Sequence, residues 1–277
     1  MTSNLQKRVV TAILLVVPLV AALFYFPAIG VALLFGLFVA AGAWEWAVLS
    51  GLQGGCRIGY VGAVIAVGGA VLMTVAQLPG AAAVIFGAAA IWWPWATFEL
   101  RRNSGGVFYS RGGRVIAGFL VLVPAWAAIF FLHATDPRQP LALLFVLVLV
   151  GLADTAAYAT GRMFGRTKLA PTISPGKTVE GVMGGILVVV LLAYFCGTMI
   201  WRFQGVALGA WIALAVVTAL VSVVGDLAES KVKRVAGVKD SGNLLPGHGG
   251  VLDRIDAITA AAPVYALGWL LWFDARV

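Results

Sequence analysis

Residues 205–256 read GVALGAWIALAVVTALVSVVGDLAESKVKRVAGVKDSGNLLPGHGGVLDRID. The first part, 205–224, is an apolar run without a single charge, and about 20 such residues carry a helix across the hydrocarbon core. The second part, 225–256, holds five of the chain's eleven acidic residues (Asp226, Glu229, Asp240, Asp253, Asp256) and five cations. A tether between two spans needs only a handful of residues, so a loop this long is functional or disordered. Leu227, Val232, Val235, Leu244 and Leu245 within it argue against disorder. One stretch thus sets the architecture and marks where chemistry is to be sought.

The pattern of the first part recurs along the chain. Runs of spanning length lie near 9–27, 30–50, 59–76, 81–98, 115–133, 141–158, 179–201, 205–224 and 257–273. The composition agrees: 62% of the 277 residues are apolar and 11% charged, with a mean hydropathy of +1.01. Soluble domains carry about a quarter charged residues, so most of this surface must face lipid. The expected fold is all-α, a polytopic integral membrane protein of nine spans in a single transmembrane domain. Its N-terminal spans would occupy 1–135 and its catalytic half 141–273, with two long loops, 159–178 and 225–256.

Placing the N-terminus inside puts sixteen of the nineteen basic residues on one side, leaving Arg138, Arg202 and Arg276 on the other. Cytoplasmic loops carry the basic excess. The N-terminus and both long loops are therefore expected in the cytoplasm and the C-terminus outside. Topology alone accounts for much of the net charge of +8, and no soluble basic domain exists to bind nucleic acid. Tryptophans near segment ends (Trp44/Trp46, Trp92/Trp93/Trp95, Trp269/Trp272) read as interfacial belts. Cys56 and Cys196 stand far apart and read as plain apolar residues.

The polar segments offer a set of candidate groups. Asp226 follows directly on the apolar run 205–224, on a helix expected to continue, with Ser230 and Lys233 on its face and Glu229 paired to Lys233 at i, i+4. Asp253 and Asp256, three apart, share one face of the first turn of the last span. Carboxylates converging from two helix ends form a hard-oxygen site suited to Mg²⁺, unless each acid simply pairs with a neighbour, such as Asp253 with Arg254 or Lys239. Gly247, Gly249 and Gly250, just before a helix N-terminus, would let backbone amides approach a phosphate, with His248 as phosphate donor or general acid/base.

In the other loop, Asp154, Tyr158 and Arg162 lie four apart on one helix face, followed by Ser174-Pro175-Gly176-Lys177-Thr178. A P-loop would need glycine at position 171, which is proline. What remains is a Pro-ordered turn placing Ser174, Lys177 and Thr178 at the membrane surface, or capping the seventh helix.

The run from Ser230-x-Val232-Lys233-Arg234 through Lys239-Asp240-x-Gly242 to Leu245-Pro246-x-His248-Gly249-Gly250-Val251-x-Asp253-Arg254-Ile255-Asp256 resembles the signature of the phosphatidate cytidylyltransferase family. The Asp154…Ala157-Tyr158…Gly161-Arg162 and Ser174-Pro175-x-Lys177-Thr178-x-Glu180-Gly181 patterns are similar to it as well, and Trp44-Glu45-Trp46 weakly so. The resemblance implies transfer of the cytidylyl group of CTP to phosphatidic acid, in a membrane that would be a bacterial inner one. With the residue chemistry above, it makes Asp226, Asp253 and Asp256 the expected ligands of one or two divalent ions, Mg²⁺ first, a monovalent second cation being the alternative. His248 and Lys239 join them as catalytic candidates. Ser174, Lys177, Thr178, Arg162, Ser230, Lys233, Arg234, Asp240 and Arg254 are expected to bind substrate. A CTP-dependent lipid kinase or a transporter are the rival readings. Membrane lipid would surround the chain, and the small-residue face of Gly181, Gly184 and Gly185 suits either a homodimer or packing within one chain.

Overall fold

A computed structural model describes residues 16–78, 80–135, 140–244 and 249–273. The described residues form nine helices and one small hairpin. The helices are α1 (Val16–Tyr25), α2 (Ala28–Leu49), α3 (Gly54–Gln77), α4 (Ala81–Leu100), α5 (Arg111–Thr135), α6 (Leu141–Phe164), α7 (Val179–Met199), α8 (Gly205–Val235) and α9 (Leu252–Trp272). Eight of them, α2 to α9, are long and apolar enough to cross a membrane. The first expected span, 9–27, lies partly outside the described residues. The protein is an all-α polytopic membrane protein, as the apolar runs require.

One element departs from the helical reading. Strands β1 (Lys168–Ala170) and β2 (Ser174–Thr178) pair antiparallel, Lys168 opposite Thr178 and Ala170 opposite Ser174. The Pro-ordered turn of the sequence reading is thus a hairpin leading straight into α7. Thr178 caps that helix, its hydroxyl accepting the Gly181 N–H at 3.1 Å.

α9 is the central helix: α8, α5, α4, α6 and α2 all pack on it. Helices in lipid have no hydrophobic force between them and rely on close packing of small residues. Ala260, Ala261 and Ala262 are fully buried. A Cβ at Gly225 of α8 would stand 2.7 Å from both the Ala260 Cβ and the Asp256 carbonyl. α6 and α7 meet in the same manner, for a Cβ at Gly185 would stand 2.9 Å from the Ala153 carbonyl. The glycine face of α7 is therefore occupied within the chain.

The tryptophans correct the belt reading. Trp46, Trp93, Trp211 and Trp269 are among the most completely buried side chains, while Trp44, Trp95 and Trp272 are exposed. Trp211 lies 4.6 Å from Phe145 and 4.7 Å from Trp201 between ring centroids, with Trp269 and Phe273 beside it. Burial of Trp211 is tolerated because its indole N–H finds the Ala193 carbonyl at 2.9 Å. This aromatic knot joins the starts of α6 and α8 to the end of α9, at the end of the bundle remote from the acids.

α8 has 31 residues, a length of roughly 46 Å against a hydrocarbon core of about 30 Å. The helix continues without a break beyond the apolar run 205–224, through Asp226 to Lys233. Its last turns are tied to their surroundings: Lys231 donates to the Arg102 carbonyl at 2.7 Å, and Arg234 Nε to the Ile173 carbonyl in the hairpin turn at 3.2 Å.

Candidate active site

At the charged end of the bundle, α6, the hairpin, α7, α8 and α9 enclose a cavity of about 640 Å³. Its wall is made by Asp154, Tyr158 and Arg162 of α6, Ser174, Lys177 and Thr178 of β2, Asp226 of α8, and Asp253, Arg254 and Asp256 of α9. The three candidate metal-binding carboxylates thus face one space, together with Lys177. Asp154 joins them; its position on the Tyr158–Arg162 face was visible in the sequence, its role as a fourth acid of the site was not.

The charges are arranged in linked pairs. Lys177 Nζ lies 2.5 Å from Asp226 Oδ2, and Ser230 Oγ donates to Asp226 Oδ1 at 3.3 Å. Lys233 Nζ sits between Glu229 Oε2 at 2.5 Å and Asp253 Oδ1 at 2.6 Å. The Glu229–Lys233 pair is the i, i+4 pair expected, and Asp253 takes Lys233 as its partner where Arg254 or Lys239 were the neighbours considered. Lys233 is 8% exposed and is not among the residues lining the cavity, so it binds α8 to α9 through Glu229 and Asp253. Among the described residues no cation lies within ion-pair distance of Asp256 or Asp154.

The glycine-rich approach to α9 serves protein carboxylates. Gly250 N–H donates to Asp253 Oδ2 at 2.8 Å, and Ser241 N–H to the same oxygen at 3.1 Å. The next two amides, of Val251 and Leu252, donate to Glu45 Oε1 and Oε2 at 3.0 and 2.8 Å. Ser241 Oγ donates to Glu45 Oε2 at 2.9 Å. The helix N-terminus expected to cradle a phosphate is instead capped by Glu45 and Asp253, since buried amides need an acceptor and these are fixed within reach. The glycines are required by that closeness. A Cβ at Gly242 or Gly250 would stand 2.5 Å from a Glu45 oxygen, and Gly249 has a φ of +79° with its missing Cβ facing Asp253.

Glu45, noted in the sequence only within the weak Trp44-Glu45-Trp46 likeness, was not among the site candidates. It is 5% exposed, near the C-terminal end of α2, and its signal was a lone carboxylate between two tryptophans in an apolar run. Buried charges in a membrane protein mark function or hold structure.

Of the remaining candidates, Arg162 donates from Nη1 to the Tyr158 hydroxyl at 3.3 Å. Arg234 is committed to the Ile173 and Val238 carbonyls. Lys239 and Asp240 are exposed and lie off the cavity wall. His248 lies outside the described residues.

The donor set fits a divalent ion in kind, being carboxylate oxygens on one cavity. Among the described residues no three acidic, His or Cys side chains stand close enough to hold an ion by themselves. Mg²⁺ asks less than that, being bound by one or two carboxylates with substrate phosphates and water completing its shell.

The profile of the cytidylyltransferase family matches residues 6–271. The chain belongs to this family. It is 42% identical over 274 residues to the phosphatidate cytidylyltransferase of Pseudomonas aeruginosa, covering 97% of each chain. To the enzyme of that name from Haemophilus influenzae it is 36% identical over 288 residues, covering 95% of this chain and 97% of the relative. To that of Staphylococcus epidermidis it is 40% identical over 152 residues, 53% of this chain and 57% of the relative. The polar cavity of this cytidylyltransferase lies within the matched residues, and its walls come from the two segments singled out in the sequence.

Proposed function

We propose that the protein transfers the cytidylyl group of CTP to phosphatidic acid, giving CDP-diacylglycerol and pyrophosphate. It is a nucleotidyltransferase of a bacterial inner membrane, with N-terminus and cavity on the cytoplasmic side and C-terminus outside. The observation that carries this reading is the single cavity in which Asp226, Asp253 and Asp256 meet Lys177, Arg162 and Arg254 at the charged end of a membrane bundle.

In the reaction a phosphate oxygen of phosphatidate forms a bond to the α-phosphorus of CTP. The bond from that phosphorus to the oxygen bridging to the β-phosphate breaks, and pyrophosphate leaves with the electron pair. The acceptor is itself the nucleophile, so no covalent protein intermediate is needed. Catalysis of such transfers is positioning and charge neutralisation.

Two polyanions must approach, and the cavity supplies the cations for it. Lys177, fixed at the wall by Asp226, and Arg162 and Arg254 beside it neutralise phosphate oxygens. Ser174 and Thr178 stand on the same hairpin strand to donate hydrogen bonds. One or two of Asp226, Asp253 and Asp256, with substrate phosphate and water completing the shell, would hold Mg²⁺, which when bound supplies positive charge to the attacked phosphate and the leaving group. Lys233 and Glu45 hold Asp253 in place. The interfacial location suits an acceptor whose chains stay in the bilayer and a nucleotide that comes from water.

The test is incubation of the purified protein with phosphatidate in detergent, Mg²⁺ and CTP labelled in the cytidine. CDP-diacylglycerol and pyrophosphate are expected. Release of labelled CDP with a phosphorylated lipid would mark a kinase and reject the proposal.

A further inference from the structure

A second cavity, of about 440 Å³, shares Val182 and Val223 with the acid-lined one. Its wall is apolar, built by Leu220, Val224 and Leu227 of α8, Leu100 of α4 and Ile173 of the hairpin turn. Arg101 and Asn103, both exposed, stand at its rim. Arg234 pins the hairpin over it through the Ile173 carbonyl. The volume falls in the range of small-molecule sites, about 300–1,000 Å³.

The two cavities divide one task. A lipid phosphate must put its head among lysine, arginine and carboxylates, where a hydrocarbon chain would leave those groups without water or partner. Its chains need apolar cover within a few ångströms of the head. The groove offers that cover on the far side of the Val182–Val223 wall, with a cation and an amide at the rim to meet the polar glycerol region.

We propose that this groove holds the glycerol-proximal part of one acyl chain of the lipid phosphate acceptor. The inference rests on the cytidylyltransfer reading and adds to it where the acceptor's tail lies. Leu220 to Leu227 spans seven residues, about 10 Å of helix rise, so the groove covers the first part of a chain and leaves the rest in the bilayer. Selection therefore acts on bulk near the ester, and total chain length matters little.

Two measurements test it on the full-length protein. Phosphatidate carrying a photoreactive diazirine close to the ester is expected to label residues 97–101 and 220–227. Labelling confined to α2 or α3, or equal labelling of the groove by the matching phosphatidylcholine probe, would overturn the proposal. This readout needs no turnover, so it fails or succeeds apart from the activity itself. In kinetics, Leu220→Trp is expected to raise the KM for phosphatidate about tenfold, the loss of one well-packed apolar contact, with the KM for CTP unchanged. Leu191→Trp, on the exposed face of α7, is expected to change neither. A Leu220→Trp enzyme indistinguishable from wild type, or one in which both KM values rise together, would refute the groove's role.

Discussion

The Lys233 ammonium lies 2.6 Å from Asp253 Oδ1, so a residue near the end of α8 and one in the first turn of α9 are joined by a buried ion pair. The same ammonium holds Glu229, which is 2% exposed. One cation thus compensates two carboxylates away from water. Removing one partner of a buried pair leaves an uncompensated charge and costs about 3–5 kcal/mol.

Lys233→Ala is accordingly expected to lower thermal stability in detergent by several degrees and to reduce kcat, while Lys233→Arg keeps part of both. A variant with unchanged melting and only a raised KM for CTP would instead place Lys233 on the nucleotide. Melting curves and two-substrate kinetics on the purified variants decide between them.

Glu45 gives a second prediction. Its carboxylate accepts from Ser241 Oγ and from the amides of Val251 and Leu252, so its loss orphans buried donors at about 1–3 kcal/mol each. Glu45→Ala is expected to lower kcat by about 10- to 100-fold through displacement of Asp253, with a smaller change in KM for CTP. Glu45→Gln retains one acceptor oxygen and is expected to recover part of kcat. Equal activity of all three proteins would show that the α9 cap is irrelevant to the site.

The close approach of α8 to α9 gives a third. Gly225→Ala would place a methyl 2.7 Å from Ala260 Cβ and from the Asp256 carbonyl. Overpacking of this kind costs about 1–3 kcal/mol, and here it pushes Asp226 away from Asp256. Lower melting temperature and lower turnover are both expected. A variant as active and stable as wild type would mean that the two helices have slack at this level.

These contacts also mark how far the sequence could be read. The apolar runs located the spans within a few residues, because in lipid every backbone group must be paired within its own helix. That Asp226, Asp253 and Asp256 lie together followed from the runs flanking them. The hairpin was hidden because its strands have three and five residues, too short for a periodic signal. Trp46, Trp93 and Trp269 were read as interfacial because a tryptophan near a span end suits an interface or a core equally well, and only tertiary neighbours decide. Glu45 meets partners 196 to 207 residues away, a relation no local pattern contains. Gly249 and Gly250 do allow close approach to an anion, but the anions met there are the protein's own Asp253 and Glu45; Gly247 lies outside the described residues.

The central claim is that the acid-lined cavity performs the transfer. It is tested most directly by turnover of Asp226→Asn and Asp256→Asn, assayed as CDP-diacylglycerol formed from CTP and phosphatidate, alongside their melting temperatures. Losses of about 100-fold or more in kcat, the scale of a lost electrostatic contact at a reacting phosphate, with melting close to that of the parent are predicted. Near-normal turnover in both variants would contradict the account.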